Sequence, residues 1–361
     1  KHPMAIAEFY TKSYFDDMDQ LNCVRPDISP RATGHIPEQI ELVQKLIDKG
    51  CAYEADGSVY FDVSKFDGYG KLSGRNVEEM QAGSRVEVNS EKKHPADFAL
   101  WKKAEPNHIM QWNSPWGMGY PGWHLECSVM SMKYLGETID IHGGGLENQF
   151  PHHECEIAQS EAANGVPFVK YWLHHNMVTV DGQKMGKSLG NFITLKQIFK
   201  EGHERLSRNY DPLAVRQLIL QSHYRSPIDF SDTALAAAQS GYDKITEAVL
   251  SVRKQIEKAP VGEADSQVIQ KLQTLEEKFI AAMDDDLNTA IALSVIFEMV
   301  KLSNILLADA KTTTSTLKAV DHKFRILGGD VLGIVLDEYP QAGGGDDQLL
   351  DYLIGMMIEK R

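Results

Sequence analysis

The 361-residue sequence contains no stretch of about eighteen consecutive apolar residues, so no membrane span is expected. Its opening, KHPMAIAEFYTKSYFDDMDQ, lacks the basic, then apolar, then small-residue order of a secretory leader and does not begin with methionine. A piece of a longer chain is the expectation. Only four cysteines are present, Cys23, Cys51, Cys127 and Cys155, too few and too scattered for a disulfide framework. With thirteen methionines beside them they fit a reducing, cytoplasmic setting. Positive charge is also in deficit: 37 basic residues face 51 acidic ones, a formal net charge of −14. That balance argues against indiscriminate binding of nucleic acid through a basic surface, though not against a local basic patch. Internal repeats and long low-complexity tracts are missing as well.

The 42% apolar and 24% charged residues are ordinary for a globular protein, and the length suits two or three domains. Residues 1–20 read as a helix, and 21–39 as a proline-interrupted connector. Pro37, Glu38 and Glu41 then open a helix that Gly50 stops. Asp56-Gly57, flanked by alternating residues, predicts a hairpin. Residues 64–95 are polar and carry no chemical cluster. Farther on, a helix over 124–134, a strand at 138–142, a break at the triple glycine and a helix from about Pro151 follow the order of a nucleotide-binding α/β sheet. Residues 170–182 read as strand, Thr194 as the cap of a helix through Phe199, and 211–222 as a helix. From Ser231 the pattern is wholly helical, with helices to about Lys258 and over 265–282, 289–308 and 313–327, then a linker at 343–347 and a last helix at 348–361. The acidic run Asp284-Asp285-Asp286 is expected to start a helix.

Reactive residues concentrate between Gly119 and Phe192. His152 and Glu156, four apart in a predicted helix, project from one face, and Cys127 can reach the same point. Cys, His and Glu together are a zinc ligand set. Lys184 and Lys187 lie among Gly182, Gly186 and Gly190, combining mobile backbone with fixed positive charge, as a polyphosphate-covering loop requires. By contrast, Cys51, Cys155 and His153 read as packed residues.

These segments resemble the cysteinyl-tRNA synthetase family, within the class I aminoacyl-tRNA synthetases. The likeness is carried by residues 21–33, DFALWK (97–102), SPWG (114–117), PGWHLECS (121–128), DIHGGG and FPHHECEIAQSEA within 140–162, KMGKSLGNF (184–192), SHYRSPIDFS (222–231) and MDDDLNTA (283–290). It implies an α/β fold: a partial Rossmann-type catalytic domain with a connective insertion, followed by an all-helical bundle. Residues 1–110 would hold the insertion and its flanks, 111–230 the second Rossmann half, 231–335 a tRNA stem-contacting domain, and 336–361 a linker and the start of an anticodon-reading region. The implied activity is ATP-dependent activation of L-cysteine and its transfer to tRNA(Cys), with Zn2+ selecting the substrate thiolate and Mg2+ accompanying ATP. Cys127, His152 and Glu156 match zinc ligands, and Trp123 and His124 match residues beside the amino acid. His142, Gly143, Gly144, Glu147 and Lys187 fall to ATP, and Lys184 and Lys187 are the catalytic lysines. A monomer with no membrane partner is expected.

Three features depart from the family pattern. Its histidine-isoleucine-glycine-histidine signature and a further cysteine ligand are missing, so this chain alone is expected to be inactive. Gly186 replaces a loop serine, and Glu147 a common aspartate. Two alternatives stay open: a cysteine ligase of mycothiol biosynthesis and a non-catalytic paralogue acting as a binding module.

Overall fold

The computed structural model describes residues 2–75 and 91–339. The linker and terminal helix expected at 343–361 lie outside the described residues. The chain forms two compact units: residues 1–15, 24–185 and 224–228 in one, and 16–23, 186–223 and 229–361 in the other.

In the first unit, helix α2 (Ile36–Asp48) carries Pro37 in its opening turn and buries Leu42, Val43 and Leu46 along one stripe. The Asp56-Gly57 hairpin forms as expected between β1 (Ala52–Ala55) and β2 (Ser58–Phe61). Both turn residues take positive φ, 47° and 81°, the conformation this two-residue connection requires. Strands β3 (Phe98–Lys103), β4 (Trp112–Ser114) and β5 (Gly117–Pro121) complete a five-stranded antiparallel sheet in the order β1-β2-β3-β5-β4. Phe61, Leu100 and Trp101 from this sheet share a core with Val43, Leu46, Leu125, Val129 and Ala158.

The site rests on a second, parallel sheet of two strands, β6 (Ile139–Gly145) and β7 (Val169–His175). Between them run a 3-10 turn (Leu146–Asn148), a π turn (Gln149–His153) and helix α4 (Glu154–Asn164), a β-α-β unit closed by left-handed Gly165. One expectation needs correction here. The triple glycine does not break the strand: Gly143, Gly144 and Gly145 pair with Leu173, His174 and His175, because the ladder uses backbone groups that glycine retains. Phe150 is extended (φ −137°, ψ 131°), and the chain turns helical beyond it, from Pro151 into α4, as expected. Glu154 is itself buried, and its carboxylate accepts from the amides of Gly70 and Ser73 and from Ser73 Oγ at 2.6–3.0 Å. It ties the 70–73 turn to the start of α4. Residues 64–95 thus hold a polar anchor that composition did not reveal.

The second unit is helical. Asp211 caps α5 (Pro212–Leu220), and Ser231 caps α6 (Asp232–Ile256). Asp265, Asn288 and Thr313 cap α7 (Ser266–Asp284), α8 (Thr289–Ala308) and α9 (Thr314–Lys323). Their apolar faces meet in one core that includes Ile245, Val249, Leu272, Phe279, Ile296, Met299, Leu317 and Phe324. The acidic run ends a helix instead of starting one. Asp284 is the last residue of α7, Asp286 and Leu287 turn the chain at φ 55°, and the cap of α8 falls to Asn288, whose Oδ1 accepts from Ile291 N. By length and composition α8 is apolar enough to cross a membrane, more so than the sequence reading allowed. Its Leu293, Val295, Ile296, Met299 and Val300 are instead buried in the helical core.

Phe279→Ala, which empties a fully packed ring position, is expected to lower unfolding free energy by about 3–5 kcal/mol, whereas Asn288→Ala, which removes only a cap, costs about 1 kcal/mol. Denaturant melts of the two variants check the ratio.

Candidate active site

His142, His153 and Glu156 offer ligand atoms that all lie within 4.8 Å of one another. His142 comes from β6, His153 from the π turn and Glu156 from the first turn of α4, so the β-α-β crossover folds three separate stretches onto one point. His142 Nε2 stands 2.7 Å from Glu156 Oε2, but not along a hydrogen-bonding direction, and both buried atoms lack any hydrogen-bond partner among the described residues. Two buried polar atoms facing one another in this way fit a shared cation.

Cys127, in helix α3 (Leu125–Leu135), lies close enough to Glu156 and Glu126 to feel both carboxylates. Burial foremost, then the Glu156 and Glu126 carboxylates, raise the thiol well above its ordinary range. Glu126 is pushed up to about 7, chiefly by burial. Burial disfavours the charged forms of the Cys127 thiol and the Glu126 carboxyl, and a divalent cation bound there would favour them. The sulfur, imidazole and carboxylate donors suit a borderline-soft metal.

Of the residues singled out from sequence as metal ligands, the structure groups Glu156 with His142 and His153, and leaves Cys127 and His152 outside that group. His152 is exposed, whereas the neighbouring His153 is buried. His152 borders a cavity of about 960 Å³ together with Trp123, His124, Phe98 and Tyr120. His124 Nδ1 lies 2.7 Å from Gln159 Oε1, while Gln159 Nε2 donates to Ser128 Oγ at 2.9 Å. The carbonyl therefore takes the Nδ1 proton, and burial keeps the ring neutral, holding its pKa at about 4. Trp123 stands 43% exposed on the same wall, open to a ligand.

Gly144 has a steric role. A Cβ there would meet the His153 ring at 2.7 Å, so the missing side chain makes the seat for that imidazole. Gly143 has more room, and Glu147 is exposed at the strand end. His174, which the sequence reading passed over, lies opposite Gly144 across the ladder, and its Nε2 is 2.8 Å from His153 Nδ1. The HH pair at 174–175 gave no signal of this, because the strand pairing that aims it is long-range.

The lysines occupy different local structures. Gly182 belongs to a hairpin turn with Asp181, between β8 (Val178–Val180) and β9 (Gln183–Lys184), which puts Lys184 on a strand. Lys187 opens a 3-10 turn (Lys187–Leu189) that Gly190 closes at φ 66°. The buried side chain of Asn191 spans the turn, its Oδ1 accepting from Gly186 N at 2.9 Å.

Comparison with known proteins places the chain. Residues 1–240 match the class I (C) tRNA synthetase catalytic domain, and 278–337 the DALR domain. The chain belongs to the class I tRNA synthetases. Among its curated relatives, the cysteine--tRNA ligase of Chlorobaculum tepidum is 52% identical over 99% of this chain and 71% of its own length. That of Chlorobium luteolum is 54% identical over 99% and 72%. In solved structures the same fold occurs in Mycobacterium tuberculosis methionyl-tRNA synthetase bound by methionyl-adenylate, with TM-score 0.63 and 12% identity over 91% of this chain and 79% of that one.

Gly144→Ala is expected to displace His153 and destabilise the fold by about 1–3 kcal/mol, as overpacking does. Gly143→Ala, with its nearest contact at 3.6 Å, serves as the mild control. Thermal melts of both variants read the difference.

Proposed function

We propose that this chain serves the chemistry of a cysteine--tRNA ligase, ATP-dependent activation of L-cysteine and transfer of the cysteinyl group to tRNA(Cys), and is inactive by itself because its residues lack the histidine-isoleucine-glycine-histidine signature. What supports the reading is the His142, His153 and Glu156 group, with an aromatic and imidazole-lined cavity bordered by Trp123, His124 and His152, in a chain about half identical to enzymes of that name. In the first step a carboxylate oxygen of cysteine attacks the α-phosphorus of ATP and the bond to pyrophosphate breaks. In the second, a hydroxyl of the terminal ribose attacks the adenylate carbonyl and AMP leaves. Lys187, with Lys184, stabilises the negative charge that accumulates on the departing pyrophosphate. His142, Gly143, Gly144 and Glu147 belong to the nucleotide side of the site, and Mg2+ accompanies the ATP.

Cys127, His152 and Glu156 are the residues we assign to Zn2+. When bound, zinc supplies a borderline-soft centre that takes a thiolate in preference to a hydroxyl, which is the selection of cysteine over serine. Trp123 and His124 border the amino acid, and the neutral His124 presents no competing positive charge. Behind Glu156, the His142, His153 and His174 cluster forms the packed wall, consistent with the His153 to His174 contact. On this reading 1–110 and 111–230 make up the catalytic region, 231–335 meets the tRNA stem, and 336–361 leads to an anticodon-reading region. The enzyme works as a cytoplasmic monomer without a membrane partner.

A form of the protein that also carries that signature is expected to exchange labelled pyrophosphate into ATP only when cysteine is present, with kcat/KM for serine lower by about 10⁴-fold or more. Cysteine-independent exchange, or none, sinks the activity. In a companion assay, transfer of labelled cysteine to glucosaminyl-inositol alone, and not to tRNA, would replace the leading reading with the mycothiol enzyme. Zinc content measured by mass spectrometry is expected at about one ion per chain and lost in His152→Ala. Retention there with loss in His153→Ala moves the metal to the His142, His153 and Glu156 group.

A further inference from the structure

The nucleotide reading gives Lys187 a task and leaves open what holds its long side chain ready. Lys187 Nζ lies 5.4 Å from the centroid of the Phe192 ring, within cation–π range. The two residues flank a short loop whose geometry is locally determined. Gly186 N donates to Asn191 Oδ1 at 2.9 Å, the 3-10 turn spans Lys187–Leu189, and left-handed Gly190 reverses the chain. Asn191 is buried at 3% exposure, so the carboxamide that closes the loop is itself fixed by its surroundings. Phe192, next in sequence, stands 40% exposed and turns its ring toward the ammonium.

Resting on the proposed function, we infer that Phe192 is a positioning residue for Lys187: its ring holds the ammonium at the phosphate-binding position before and during nucleotide binding. An ammonium has three donors on a four-carbon stem, and fixing it from a free state costs rotamer entropy. A ring on one side restricts the stem yet takes up only one direction of the charge. The outer side of Lys187 is solvent-exposed, leaving its donors free to meet phosphate oxygens without first leaving the ring. A carboxylate in the same place would hold the lysine more strongly and oppose the phosphate. The neutral ring orients the charge without cancelling it. The contact therefore persists in the bound state, and this decides the sign of the effect of removing it.

Phe192→Leu keeps apolar bulk and removes the π face. In the form that also carries the histidine-isoleucine-glycine-histidine signature, KM for ATP in cysteine-dependent pyrophosphate exchange is expected to rise about two- to fivefold, with KM for cysteine unchanged. Phe192→Trp, with the strongest π face, is expected to restore the ATP value. Fluorinated phenylalanines at 192, which keep the shape while weakening the ring quadrupole, are expected to raise it stepwise with fluorine number. An unchanged or lowered KM in Phe192→Leu, or a flat fluorine series, overturns the inference. A lowered KM would mean that the ring parks the lysine away from the nucleotide. A second readout needs no turnover. The ε-methylene protons of Lys187 are expected to show an upfield ring-current shift that vanishes in Phe192→Leu; its absence in the unmodified protein refutes the contact. Absence of exchange in the form that also carries the histidine-isoleucine-glycine-histidine signature, with the ring-current shift intact, counts against the enzyme reading and not against the Phe192 contact.

Discussion

A carboxylate buried beside an imidazole, without a hydrogen bond between them, is the constraint around which the first unit is arranged. Glu156 is only 3% exposed, and its Oε2 faces His142 Nε2. Burying an ionised carboxylate is costly unless charge or hydrogen bonds offset the lost water. Glu154, two residues earlier, meets that cost with three hydrogen bonds from the 70–73 turn. Glu156 Oε2 has no such hydrogen bond among the described residues, so within one turn of helix one buried carboxylate is an anchor and the other is left facing an imidazole. The fold supplies the setting: a parallel strand pair beneath, α3 on one side, and a crossover that begins with a tight 3-10 turn.

Much of this was legible in the sequence. Asp56-Gly57, Pro37, Pro212, Ser231 and Thr194 each announced a turn, a first helical residue or a cap, and each does that work, because such signals rest on backbone chemistry within about four residues. Glu156, singled out by its residue type and spacing, does lie in a cluster of possible metal-binding side chains, with His142 and His153. What escaped was long-range or turned on which residue holds a helix cap. The triple glycine reads as a break until β7 is known to lie alongside it. Asp284-Asp285-Asp286 reads as a helix start until Asn288 is seen to hold the cap. His174 has no local signal at all, since only strand register sets it against His153.

The helical unit shows a contrasting economy. Its core is continuous from α6 to α9, and every one of these helices begins at a side chain that accepts a backbone amide. Polar residues there serve as punctuation, while apolar ones provide cohesion. The catalytic unit instead keeps polar groups inside. Asp97 takes bonds from Tyr53 and the amides of Val63 and His94, and Gln159 is shared between Ser128 and His124. Interior polarity fixes side-chain directions, which apolar packing alone does less sharply.

The π turn at Gln149–His153 carries one further consequence. Because successive side chains leave a helical turn in different directions, the adjacent His152 and His153 divide between water and the interior. Two identical neighbours thereby acquire different solvents and can evolve separate tasks without a change of residue type.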